Sequence, residues 1–221
     1  MFASSTSINT DTMQHYLCAY LHWINLPVAY YVYSHRLHAN HWIDMVGIVI
    51  LSIASSLYHY DIYKRLYANP QIKDNIILLK DNVVFFASDM VSIHLRSFLS
   101  VIANHSLSPY GVYVILGSWG LHLITMMSGI LNIRFLFIYD SVTQHTFVKY
   151  NRILLFIPVT YDVISVCMHS PVEIYVPFLF VNIIIALLFA IKPFYKLTHV
   201  AFHVLILFQT YYICSSTVLQ S

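Results

Sequence analysis

Ser55 and His59 are spaced four residues apart, and so are His199 and His203, while Asp89 sits within an otherwise apolar stretch. These residue types suit a hydrolytic metal centre. Catalytic zinc is commonly held by three neutral imidazoles with a fourth position left for water. An i, i+4 pair on one helix (His199 and His203) and a third histidine on another (His59) make such a set. Zinc brings the pKa of its water to about 7, so hydroxide is available at neutral pH. Asp89 is placed to orient a ligand imidazole or take a proton. Ser55 is placed to donate a hydrogen bond to a developing oxyanion. The reaction class that follows is hydrolysis of an ester or amide. The expected site is therefore Ser55 and Asp89 as catalytic groups and His59, His199 and His203 as zinc ligands.

The elements that carry these residues must be membrane helices. The chain has 221 residues, of which 9% are charged, against about 25% in a soluble domain. Mean hydropathy is +0.70. So few charges cannot cover a soluble globule, and a disordered chain is equally excluded. A net charge of +2 provides no nucleic-acid face. Cys18, Cys167 and Cys214 form no metal or disulfide pattern. Seven apolar spans are expected, at 16–33, 43–60, 83–102, 110–131, 153–169, 174–191 and 197–214. Each is long enough for a bilayer core, and their backbone groups are satisfied in lipid only as helices. The predicted fold is all-α, a seven-transmembrane helical bundle over 16–214 between tails at 1–15 and 215–221. A cleaved signal peptide is not expected, because the N-terminus lacks a basic region and the first span holds His22, Asn25 and Pro27.

Face and depth tie the spans to the chemistry. Ser52, Ser55, Ser56 and His59 share one stripe of span 2, and Asn82, Asp89, Ser92, Arg96 and Ser100 one stripe of span 3. His199, His203 and Thr210 do the same in span 7. The end of span 2 and the starts of spans 3 and 7 lie on one membrane side, so the five site residues can meet at one depth. Ionisable groups inside a membrane cost about 2.5–3.5 kcal/mol at its centre and mark function by default. A site sunk there receives a lipid. Span 174–191, nearly free of polar residues, is expected to face lipid. Lys64, Arg65, Lys73, Lys80, Arg134, Lys149, Arg152, Lys192 and Lys196 flank the site side, which the positive-inside rule makes cytoplasmic together with the N-terminus.

Other polar residues have simpler expected roles. Arg96 is expected to pair with Asp89 or Asp162. His94 is expected to hydrogen-bond between helices, while His122 and His169 have no evident partner. His35, His38 and His41 read as a solvated turn, and Cys214 as a palmitoylation candidate.

The stretches NLPVAYYVYSHRLH (25–38), SSLYHYD (55–61), LLKDNVVFFASDMVS (78–92) and THVAFH (198–203) resemble the CREST superfamily. That superfamily includes alkaline ceramidases, progestin and adipoQ receptors, and the myomaker-type branch, which contains a GPI-lipid phospholipase. The myomaker-type branch is the most similar: Leu-Pro late in span 1, Ser-x-x-Tyr-His closing span 2, and two acids eight apart, here Asp81 and Asp89. The resemblance covers spans 1–3 and 7; region 104–196 adds only hydropathy. It implies a seven-helix fold and zinc on His59, His199 and His203, supported by Ser55 and Asp89. The myomaker pattern lacks an acid matching Asp89, so its presence here points to the hydrolytic members. Myomaker-type proteins place the N-terminus outside; the charge tally gives the opposite, as in adipoQ receptors. The expected function is a multi-pass membrane zinc hydrolase that cleaves an acyl ester or amide of a lipid. The rival is a non-catalytic remodelling or fusion protein whose structural zinc is closed by Asp89. A receptor is a third reading.

Overall fold

The computed structural model describes residues 10–34, 40–69, 71, 82–135, 137, 141–191 and 198–219. Among these, all regular structure is helical: α1 Thr10–Ser34, α2 His41–Ala68, α3 Val83–His105, α4 Gly111–Phe135, α5 Ser141–His169, α6 Val172–Ile191 and α7 Thr198–Leu219. Each expected span coincides with one helix, apart from residue 110, which precedes α4, and residue 197, which lies outside the described residues. The helices overrun the spans because hydropathy sees only the apolar part. The last turns of α2 continue beyond residue 60 as polar helix, held by an Asp61–Arg65 pair at 2.6 Å, one turn apart. α1 likewise starts at Thr10, which puts His15 inside the helix rather than in a tail.

Three helices, α2, α3 and α4, are long and apolar enough to cross a membrane. α5, α6 and α7 contain shorter apolar segments. α1 is diluted by Gln14, His15, His22 and Asn25. Pro27, Pro158 and Pro177 lie within helices, as membrane helices tolerate where neighbours satisfy the freed carbonyls. The chain turns sharply between α3 and α4, through Ser108 N–H to His105 O and Gly111 N–H to Ser108 O. A Cβ at Gly111 would stand 1.8 Å from the His105 carbonyl oxygen, so only glycine fits.

The helices pack in sequence around a ring, α1 closing on α7, and α3 reaches inward to α5 and α7 as well as to α2 and α4. α6 buries one stripe, Phe178, Val181, Ile185 and Leu188, and exposes Val176, Leu179, Phe180, Ile183 and Leu187. α4 is more exposed than α2 or α3: 17% of its apolar window is buried, against 39% for each of them. The polar stripe of α2 (Ser52, Ser55, Ser56, His59) is buried throughout, as is that of α3 (Asp89, Ser92, Arg96, Ser100).

Arg96 departs from expectation. Its partner is Asp44, at 2.7 Å, not Asp89 or Asp162. Asp44 is fully buried and also accepts from Ser100 at 2.6 Å and from Tyr33 at 2.5 Å, with the Cys214 thiol at 3.5 Å. One carboxylate thus ties α1, α2, α3 and α7 together. Arg96 reaches it because α2 and α3 approach closely at Gly47, where a Cβ would meet the Arg96 Cα at 3.2 Å. The sequence reading missed Asp44 because it lies in the first turn of α2, where an acid reads as a boundary residue. Cys214 is fully buried in this cluster, which removes it as a lipidation site. His122, expected to be unpartnered, contacts both His94 and Asp162, and His94 is an interhelical hydrogen bonder as expected. Asp81, His35 and His38 and the side chain of His169 lie outside the described residues.

Candidate metal centre

Three helices deliver five histidines to one end of the bundle: His15 and His22 from α1, His59 from α2, His199 and His203 from α7. Antiparallel alternation puts the starts of α1, α3 and α7 level with the end of α2. The three expected ligands do meet. The His59 ring centroid is 4.9 Å from those of His199 and His203, which are 4.7 Å from each other. The cluster is graded from mouth to floor: His199 is exposed and His15 half-buried, while His22, His59 and His203 are buried.

The two α1 histidines are additions to the expected set. The His22 ring lies 4.5 Å from His203, and His15 lies 5.3 Å from His59 and 5.6 Å from His199, centroid to centroid. Three triads bring one ligand atom from each residue within 4.8 Å of the others: His22, His59 and His203; His15, His59 and His199; Cys18, His199 and His203. Each pair among the three expected ligands is therefore completed by a residue of α1. The first triad is buried throughout. The signal was present in the sequence, since His15 and His22 are two turns apart on one face of a helix that opens on the site side.

Two ring nitrogens in this cluster, Nδ1 of His22 and Nδ1 of His203, are buried with no protein partner. An unsatisfied polar atom in an interior costs about 1–3 kcal/mol, and a metal ion satisfies an imidazole lone pair. His203 Nε2 faces His199 Nε2 at 3.3 Å, and His15 Nδ1 faces His59 Nδ1 at 3.0 Å. The donor set, neutral imidazoles converging from separate helices, fits zinc.

Ser55 and Asp89 stand beside the buried triad. Ser55 Oγ is 2.7 Å from His22 Nε2, and Asp89 lies near it. Both are buried, and one Asp89 oxygen, Oδ1, has no partner. Neighbouring serines fasten α1 to α2: Ser52 donates to the His22 carbonyl at 2.9 Å and Ser56 to the Ala19 carbonyl at 2.7 Å. A tyrosine ladder lies on the same end of the bundle. Tyr16 packs on Tyr20 and Tyr63, and Tyr63 on Tyr60 and Tyr67, with the Lys64 ammonium over the Tyr60 ring at 4.7 Å. Such rings are enriched where membrane meets water.

Fold and site together define an all-helical membrane protein with a histidine-rich centre able to hold a metal. No family model, curated protein or solved structure matches the chain.

Proposed function

We propose that the chain is a seven-span membrane hydrolase that uses zinc to cleave an acyl ester or amide bond of a lipid. The observation that carries this reading is the buried triad His22, His59 and His203, with two unpartnered ring nitrogens, beside Ser55 and Asp89. His59 and His203, common to the expected set and the buried triad, hold the metal, with His22 on its inner side and His199 on its outer side as further imidazoles. When bound, zinc supplies a water of pKa about 7 and polarises a carbonyl. The chain's own groups do the rest. Asp89, with an unpartnered oxygen, accepts a proton from the attacking water. Ser55, held by His22, donates a hydrogen bond to the carbonyl oxygen as negative charge builds. The tyrosine ladder sets this chemistry near the level of lipid headgroups, where an ester or amide linkage lies. The resemblance to the CREST superfamily and the cytoplasmic placing of this end by the basic residues belong to the same proposal.

One observation favours a second reading. The extra α1 histidines can close the coordination sphere, as in a structural site, which fits a non-catalytic remodelling protein. Purified chain in lipid nanodiscs, with and without zinc, incubated with phospholipid and ceramide, separates the two. Zinc-dependent release of fatty acid supports the hydrolase. Bound zinc without any release supports the structural reading.

A further inference from the structure

A second polar cluster, apart from the five histidines, lies between α3, α4 and α5. Asp162 is buried there with a carboxylate that no Lys or Arg contacts among the described residues. Its partners are the hydroxyls of Ser97 and Ser118, the latter at 2.8 Å, and His122 Nε2 at 2.7 Å. An ionised carboxylate in a membrane interior requires a balancing cation.

His122 shows where that cation goes. Donation from Nε2–H to Asp162 leaves Nδ1 with a lone pair. That lone pair faces His94 Nδ1 at 2.9 Å, the rings nearly perpendicular at 88°. Two imidazole nitrogens on one ion at 2.0–2.1 Å stand about 3.3 Å apart at a tetrahedral angle, a few tenths of an ångström from what is seen. A carboxylate on the far nitrogen of a ligand histidine is the usual support of a metal-bound imidazole. His94 opens onto a groove of about 320 Å³ that Met90 and Met126 also line. Met90 is one turn from His94 on α3, and Met126 one turn from His122 on α4.

We propose that His94, His122, Met90 and Met126 form a second metal site, selective for monovalent copper, with Asp162 as its counter-charge. Thioethers are soft donors that select Cu(I) over zinc or harder ions. One positive charge neutralises Asp162, whereas a divalent ion leaves a net charge beside a groove otherwise lined by Ala87, Val91, Thr125, Gly129, Ile130 and Ile133. No proton is released on binding: the His94 proton passes from Nδ1 to Nε2, and Nδ1 takes the ion.

The test uses the full chain in nanodiscs, with the five-histidine centre filled with zinc and Cu(I) supplied anaerobically against a competing chelator. One copper per chain is expected, with nitrogen and sulfur neighbours in X-ray absorption. Met90→Leu and Met126→Leu conserve volume; each should weaken binding and remove a sulfur neighbour while zinc content stays the same. Asp162→Asn should lower copper affinity about 10–100-fold. The proposal is overturned if copper has nitrogen neighbours only, if the methionine variants bind like wild type, or if no copper is retained and the pair shares only a proton.

Discussion

Ser55 Oγ of α2 lies 2.7 Å from His22 Nε2 of α1. In the tautomer in which Nε2–H donates to the serine oxygen, the hydroxyl hydrogen is left to turn elsewhere, and His22 Nδ1 is a bare, buried lone pair. Ser55 therefore stands beside both the acid and a nitrogen available to a metal. Ser55→Ala removes the His22 contact and the oxyanion donor. It should leave zinc content within error of wild type and lower lipid hydrolysis about 10²–10³-fold, the usual effect of one such donor. Metal analysis and a fatty-acid release assay on the same preparation check it.

The gradient of burial in the cluster predicts unequal ligands. His203→Ala and His59→Ala remove interior donors and should release zinc, as read by metal analysis after dialysis. His199→Ala should also reduce zinc content, because its ring packs on both of the others. His15→Ala, at the mouth, should weaken zinc least. If His15→Ala strips the metal while His203→Ala retains it, the ion sits at the mouth rather than on the buried floor.

Much of this was legible in the sequence because membrane helices leave two strong signals, apolar length and polar stripes. The stripes of α2 and α3 and the matched depth of His59, Asp89, His199 and His203 came from spacing alone. What was lost was lost at helix ends. Hydropathy began the first span at residue 16, so His15 fell into a tail, and His22 read as an interruption of an apolar segment rather than a ligand. Asp44, in the first turn of α2, was not singled out, and the expected partners of Arg96 were Asp89 and Asp162. Partner choice depends on how helices rotate against one another. Gly47 sets that rotation for α2 and α3, and no periodicity reports it.

Asp44 makes a separate prediction about stability. It lies about 22 Å along α2 from His59, at 1.5 Å per residue, so its loss should unfold the bundle without touching the chemistry first. Asp44→Asn leaves the Arg96 guanidinium buried without its counter-ion. Removing one partner of a buried pair costs about 3–5 kcal/mol. Thermal unfolding in detergent should shift down for Asp44→Asn and recover in part for Asp44→Asn with Arg96→Met. An unchanged midpoint in the single variant would show that the pair contributes little.

Orientation is open to a direct check. The seven-span reading of the sequence gathers the basic residues on the site end, so a glycosylation-acceptor tag placed before residue 1 should remain unmodified. Modification of the tag would put the site at the outer or lumenal leaflet.

Asp89→Asn is the most direct measurement of the central claim, that the cluster is a hydrolytic zinc centre. Asparagine keeps the shape but cannot take a proton. Wild-type and Asp89→Asn chain, purified in nanodiscs, should carry equal zinc, and the variant should release fatty acid about 10²–10⁴-fold more slowly, the range for loss of a general acid–base group. Loss of zinc together with loss of the fold would make Asp89 a ligand of a closed structural site. Equal zinc with unchanged release, or no release from either protein, would contradict the catalytic account.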